Sequence, residues 1–155
     1  EKIDVVVHPQ SVIHSMIEFE DGAVLAQMAR PDMRGPIGYA MAYPSRLPYG
    51  AEPLDFAQLG KLTFEAPDTG RFPSLAMAYA ALRTGGSAPV ALNGANEAAV
   101  AAFLREEIPF GRISEVIEET LNLCPVRGIA GIGDVHAADA QSRAIAEKII
   151  RRRSC

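Results

Sequence analysis

The sequence predicts an α+β fold, with β-strands first and a small antiparallel four-helix bundle after them. Three observations carry this. The chain to about Pro67 is rich in proline and β-type runs, and the rest is rich in alanine with helical periodicity. Asp21-Gly22, a strong turn signal, separates two apolar runs. Short connections join the amphipathic stripes of the second half, as an antiparallel bundle requires.

The elements follow in order. Ile3 to Val7 is β-branched and apolar apart from Asp4, the pattern of a covered strand. Val12 to Phe19 and Ala23 to Met28 form the two arms of a hairpin. Arg30 to Pro36 is a loop by its prolines, and Pro36 suits the first turn of a helix over Ile37 to Ala42. Pro44, Pro48, Gly50 and Pro53 mark an irregular connector, after which Lys61 to Phe64 can form a short strand. Leu75, Ala78, Tyr79 and Leu82 share a helical face that Gly85-Gly86 ends. A second helix approaches through Ser87 and Pro89 and runs to about Glu107; Gly94 weakens its first turns and moves the expected start toward Asn93. Ile113, Val116, Ile117, Thr120, Leu121 and Cys124 make a third stripe, stopped by Pro125. Asp134 can cap a fourth helix with Val135, Ala138, Ile145 and Ile149 on its apolar face.

Composition narrows the function classes. At 155 residues the chain is long enough for a sizeable core, and 48% hydrophobic with 22% charged residues is a globular balance. Net charge is −4, and the basic run Arg151-Arg152-Arg153 lies at a helix end where the dipole favours it. Without a wider basic face, nucleic acid is not an expected partner. Cys124 and Cys155 are far apart and form no CxxC pair, which fits a reducing cytoplasm. No run of about 18 apolar residues suggests a membrane span. The chain opens on Glu1-Lys2 without an initiator Met or signal peptide, the expectation for a fragment or a processed chain.

The residues able to carry chemistry concentrate in His8-Pro9-Gln10-Ser11-Val12-Ile13-His14-Ser15-Met16. His14 suits a general acid or a substrate hydrogen-bond donor, or else a histidine satisfied by backbone. His8 and His14 together could ligate a metal, but no third ligand is evident nearby. Arg30 and Arg34 are of the type that binds phosphate or carboxylate, or pairs with Asp32 and water in a surface loop. Pro31 and Met33 could supply an apolar wall. Asn93, Asn96 and Glu97 share a helix face and suit a structural polar network. His136 reads as solvated. No GxGxxG, Walker A loop, acidic metal cage or nucleophile elbow occurs.

Four blocks in fixed order are more specific than any of these features. They are HPQSVIHSM (His8 to Met16), the run from Asp21 to Ile37 containing VLAQMA and PDMR, the run from Pro53 to Pro73 containing PLDF and LTFEAPD, and ALNGANEAAVAAFL (Ala91 to Leu104). Together they resemble the C-terminal half of the 1-deoxy-D-xylulose 5-phosphate reductoisomerase family, over essentially the whole chain and more weakly after Glu107.

The resemblance implies an NADPH-dependent, Mg- or Mn-dependent conversion of 1-deoxy-D-xylulose 5-phosphate to 2-C-methyl-D-erythritol 4-phosphate, in non-mevalonate isoprenoid precursor synthesis. It implies a cytoplasmic homodimer. Residues 1–50 would be the terminal strands of an α/β catalytic domain, 51–70 a connector and 71–155 the C-terminal helical bundle. His14 matches a catalytic histidine near the substrate. Pro31 and Met33 match the loop lining the substrate and nicotinamide pocket, and Ser11 lies alongside. The roles of His8, Asp32 and Arg34 stay open. Gly35 and Gly38 stand where larger residues can occur. The family's NADPH, metal and main phosphate sites all precede Glu1, so none is expected here and the isolated chain is expected to be inactive. The other reading is a non-enzymatic helical-bundle module for interaction or dimerisation.

Overall fold

The computed structural model describes residues 3–152, so the readings at Arg153 and Cys155 lie outside the described residues. The chain divides into two compact units, Glu1–Pro67 and Asp68–Cys155.

The first unit is built on an antiparallel hairpin of β1 (Ile13–Glu18) and β2 (Val24–Met28). Gly22 at φ 81 makes the turn that Asp21-Gly22 predicts, and the Asp21 carboxylate accepts from the Ala23 N–H at 2.9 Å. Two short helices follow, α1 (Arg34–Ala42) and α2 (Phe56–Leu59). Asp55 starts α2 by accepting from the Ala57 and Gln58 amides at 2.9 and 3.1 Å, and Gly60 at φ 64 ends it. A Cβ on Gly35 would stand 2.8 Å from the Tyr49 hydroxyl, whereas one on Gly38 would meet open space.

The second unit holds α3 (Ser74–Thr84), α4 (Ala88–Leu104), α5 (Arg112–Leu123) and α6 (Ile132–Arg152). Its core gathers Ala95, Ala99, Ala102, Ile108, Val116, Ile117, Ala146, Ile149 and Ile150. Burying Val116 and Ile117 fully is worth about 1.5–3 kcal/mol for each side chain. Alanines supply the α4 side, so its neighbours approach its backbone closely.

Several expectations are corrected. The described residues contain six helices: the four expected in the second half, α1 where a helix over Ile37 to Ala42 was expected but starting earlier at Arg34, and α2, which was not expected. Within the second unit α4, α5 and α6 pack mutually, while α3 touches α4 and α5 but makes no comparable contact with α6. The expected strand at Ile3–Val7 shrinks to an isolated bridge, Val7 to Glu65, and Lys61–Phe64 is irregular. A strand needs a run of partner backbone, and a single bridge does not supply one.

Gly94 lies inside α4, which starts at Ala88, well before Asn93. The glycine is there for space: a Cβ would collide with Ser142 Oγ and come within 3.0 Å of Asp139 Oδ1. That approach also changes the buried stripe of α6 to Ser142, Ala146, Ile149 and Ile150, with Val135 and Ala138 only partly buried. On α3 the buried residue is Ala81, and Leu82 is 53% exposed. Arg112, absent from the expected α5 stripe, is buried and paired with Glu115 and with Glu119 at 2.9 Å. α6 starts at Ile132, and Asp134 Oδ2 accepts from the amides of Ala130 and Gly131 just upstream, at 2.8 and 3.2 Å.

Candidate functional site

The hairpin register brings the predicted site residues to one end of the sheet. Ser11 precedes β1 and Pro31 and Met33 follow β2, so both loops leave the open end, opposite the Gly22 turn. The pairing extends past the strands there, with the Ala29 N–H donating to the Val12 carbonyl at 3.0 Å. Val12 is buried, the one such residue among those described in the first unit.

His14 occupies an irregular position. Ile13 faces Met28 and Ser15 faces Gln27, so His14 is the extra residue of a β-bulge. A bulge re-aims a side chain. His14 Nε2 lies 3.2 Å from the Ala29 carbonyl. A carbonyl only accepts, so Nε2 is the donor in this contact. The ring is exposed. Ser11 has φ 49, in the left-handed region that non-glycine residues seldom adopt, and its amide donates to the His8 carbonyl at 3.0 Å.

His8 is committed elsewhere. Its Nδ1 meets the Thr63 carbonyl at 2.9 Å and its ring stacks on Phe64 at 4.8 Å between centroids. The two histidines therefore address different carbonyls. Among the described residues no group of three or more His, Cys, Asp or Glu could hold a metal ion.

The Arg30–Arg34 loop resolves into pairs. Asp32 accepts two or more hydrogen bonds from the Arg34 guanidinium, the shortest at 2.6 Å, and one from the Arg34 amide at 2.9 Å. The Arg34 side chain, then its backbone N–H, holds the Asp32 carboxyl below its ordinary range, while Asp32 raises Arg34. This clasp between residues two apart leaves Met33 69% exposed. Arg30 reaches Glu52 at 3.3 Å with both side chains largely in solvent.

In the second unit, Glu97 accepts from Asn93 at 3.1 Å and from Arg143 at 2.5 Å, and Arg143 also reaches Asp139 at 2.7 Å. Two of the three expected polar residues, Asn93 and Glu97, thus tie α4 to α6 within the helical unit, and Asn96 takes no part in this network. Asp139 first, then Glu97, raises the Arg143 pKa; Arg143 first, then Asn93, lowers that of Glu97. An open cleft of about 610 Å³ beside this network is lined by Arg105, Arg143, Arg151, Glu97, Glu107 and Glu147, whose charges pair among themselves. His136 is exposed. Burial raises the Cys124 thiol pKa.

Two site-supporting residues escaped the sequence reading. Thr63 gave no signal of its own, because its partners lie 53 and 55 positions away. Gln10 stood inside the histidine motif but had no visible partner.

The stretch from the end of β2 through most of α6 is that of a reductoisomerase C-terminal segment: the family model described as "DXP reductoisomerase C-terminal domain" matches residues 28–145. The 1-deoxy-D-xylulose 5-phosphate reductoisomerase of Burkholderia lata is 52% identical over 150 residues, covering 97% of this chain and 38% of the relative. That of Ralstonia pickettii is 53% identical with the same coverage. Among solved structures, the Zymomonas mobilis reductoisomerase in complex with NADPH superposes with TM-score 0.84 at 46% identity, covering 94% of this chain and 38% of that one. A DOX-P reductoisomerase in complex with NADPH, fosmidomycin and magnesium gives TM-score 0.84 at 41% identity and the same coverage. The chain belongs to the 1-deoxy-D-xylulose 5-phosphate reductoisomerase family and spans well under half the length of these relatives.

Proposed function

We propose that this chain is the C-terminal part of an NADPH-dependent enzyme converting 1-deoxy-D-xylulose 5-phosphate to 2-C-methyl-D-erythritol 4-phosphate for isoprenoid precursor synthesis. The carrying observation is the identity of about half its residues to named reductoisomerases over 97% of its length. Residues 1–50 would end the catalytic domain, 51–70 connect, and 71–155 form the helical support.

In this reading His14 donates a proton or a hydrogen bond to a substrate oxygen from Nε2, after exchanging the Ala29 carbonyl for substrate. Its place on a bulge at the mouth of two loops supports that role. Met33 and Pro31 form an apolar wall suited to a nicotinamide or a sugar carbon face, and exposure of Met33 supports this. Ser11 offers a hydroxyl at the same end of the hairpin. A divalent cation, when bound, supplies Lewis-acid polarisation. The described residues contain no cluster suited to hold it, so no ligand is assigned here.

We also propose a cytoplasmic homodimer that engages neither nucleic acid nor membrane. Among the described residues no helix is long and apolar enough to cross a membrane. The exposed apolar hairpin supports a covering partner, with Ile17 61% and Leu25 63% exposed.

NADPH consumption in the presence of substrate and Mn²⁺ tests the reading. The protein containing this chain together with the upstream segment its relatives possess should turn over, and His14→Ala should reduce kcat about 10²-fold or more. Residues 1–155 alone should show no turnover. Activity of the short chain, or full activity of the His14 variant, would refute the assignment.

A further inference from the structure

Thr63 lies in an irregular stretch outside any helix or strand. Even so, all three of its polar groups are held by the loop before β1. Its amide donates to Gln10 Oε1 at 3.1 Å, and its carbonyl accepts from His8 Nδ1 at 2.9 Å. Its hydroxyl and the Gln10 amide exchange two bonds, Nε2 to Oγ1 at 2.8 Å and Oγ1 to Oε1 at 3.2 Å. On either side the grip is reinforced. Val7 and Glu65 exchange both backbone hydrogen bonds at 2.9 Å, and Phe64 stacks on the His8 ring at an interplanar angle of 20°.

The chemistry fixes one further detail. The Thr63 carbonyl cannot donate, so His8 is protonated at Nδ1. Its Nε2 is buried without a partner among the described residues. Turning the ring to satisfy that nitrogen would break the bond to Thr63, so the observed orientation is the one the clamp selects.

The held residues, His8 and Gln10, immediately precede Ser11, whose φ of 49 has to be maintained against its local preference. Elsewhere packing does this work. In the first unit the only buried residue among those described is Val12, so directional hydrogen bonds are left to set the loop. Val12 follows Ser11 directly and leads into the strand that carries His14.

We infer that Thr63 is a positioning residue: through His8 and Gln10 it fixes the loop that presents Ser11 and sets the start of the strand bearing His14. The inference rests on the reading that these two residues line the reductoisomerase pocket.

The test uses the full-length protein with Thr63→Val, which keeps the branched shape and both backbone groups but loses the hydroxyl, and Thr63→Ser, which retains it. Three quantities are read: kcat and KM, the melting temperature, and the amide resonance of Ser11 in ¹⁵N-serine-labelled protein. Thr63→Val should lower kcat/KM about tenfold at an unchanged melting temperature, and Thr63→Ser should restore it. The Ser11 resonance should move in the valine variant and return in the serine variant. An unmoved Ser11 resonance overturns the inference, as does an activity loss that only tracks loss of folded protein. An inactive wild-type protein with a displaced resonance in Thr63→Val would refute the reaction while upholding the clamp.

Discussion

The two units hold themselves together by different means. In the second, apolar side chains converge: Ala95, Ala99, Ala102, Val116 and Ala146 have no exposed surface, and Ile117 is 1% exposed. In the first, the strands show almost every side chain to solvent, and neither α1 nor α2 has a buried residue. Its order comes from a turn, a bulge, the Asp32–Arg34 clasp and the grip on Thr63. A hydrogen bond contributes only about 1 kcal/mol net, so such a unit is poorly stabilised without a cover. The contrast shows that the helical unit carries its own apolar core, whereas the segment bearing the candidate site is held by local turns and directional hydrogen bonds.

The largest test of that contrast is separation. Residues 68–155 alone should unfold cooperatively on heating. Residues 1–67 alone should give no cooperative transition by calorimetry. A sharp transition in the shorter piece would erase the distinction between the units.

Single substitutions sharpen it. Ile117→Ala should cost about 2–5 kcal/mol in denaturant unfolding of the chain, through lost burial and the cavity left behind. Leu25→Ala, at 63% exposure, should stay within about 0.5 kcal/mol. If upstream polypeptide covers the hairpin in the longer protein, the Leu25 effect should grow there toward the Ile117 value.

The smallest effect is a pH dependence. Glu97 has its pKa lowered by Arg143 and then Asn93. A lowered folded-state pKa stabilises fully above the ordinary carboxylate value of about 4.3, and that contribution is lost as pH falls through the lower folded value. The melting-temperature gap between wild type and Glu97→Gln should therefore be present at neutral pH and close on acidification below about pH 4. Asp32 is lowered in the same sense by Arg34, but in a unit without a core. Asp32→Asn should leave the cooperative melting temperature unchanged at every pH.

Local signals made much of this legible. Asp21-Gly22 announced the hairpin, the stripe through Val116, Ile117 and Thr120 announced α5, and Pro125 stands just past its end. What was misread involved partners distant in sequence. Gly94 looked like a helix weakness because Ser142, which occupies the space a side chain would need, is far along the chain. Ile3–Val7 has the composition of a strand, but composition names no partner. The His14 bulge was invisible, since a bulge is a mismatch between two strands and no property of one.

By itself, then, the sequence determined the hairpin turn and the four helices of the second half and, through four ordered motifs, which family the chain resembles. Such features depend on neighbours a few residues apart. Tertiary structure alone decided that small residues lie at the α4–α6 contact and that Thr63 grips the histidine loop. These depend on which distant atoms come within hydrogen-bond or van der Waals reach, and folding of the chain settles that.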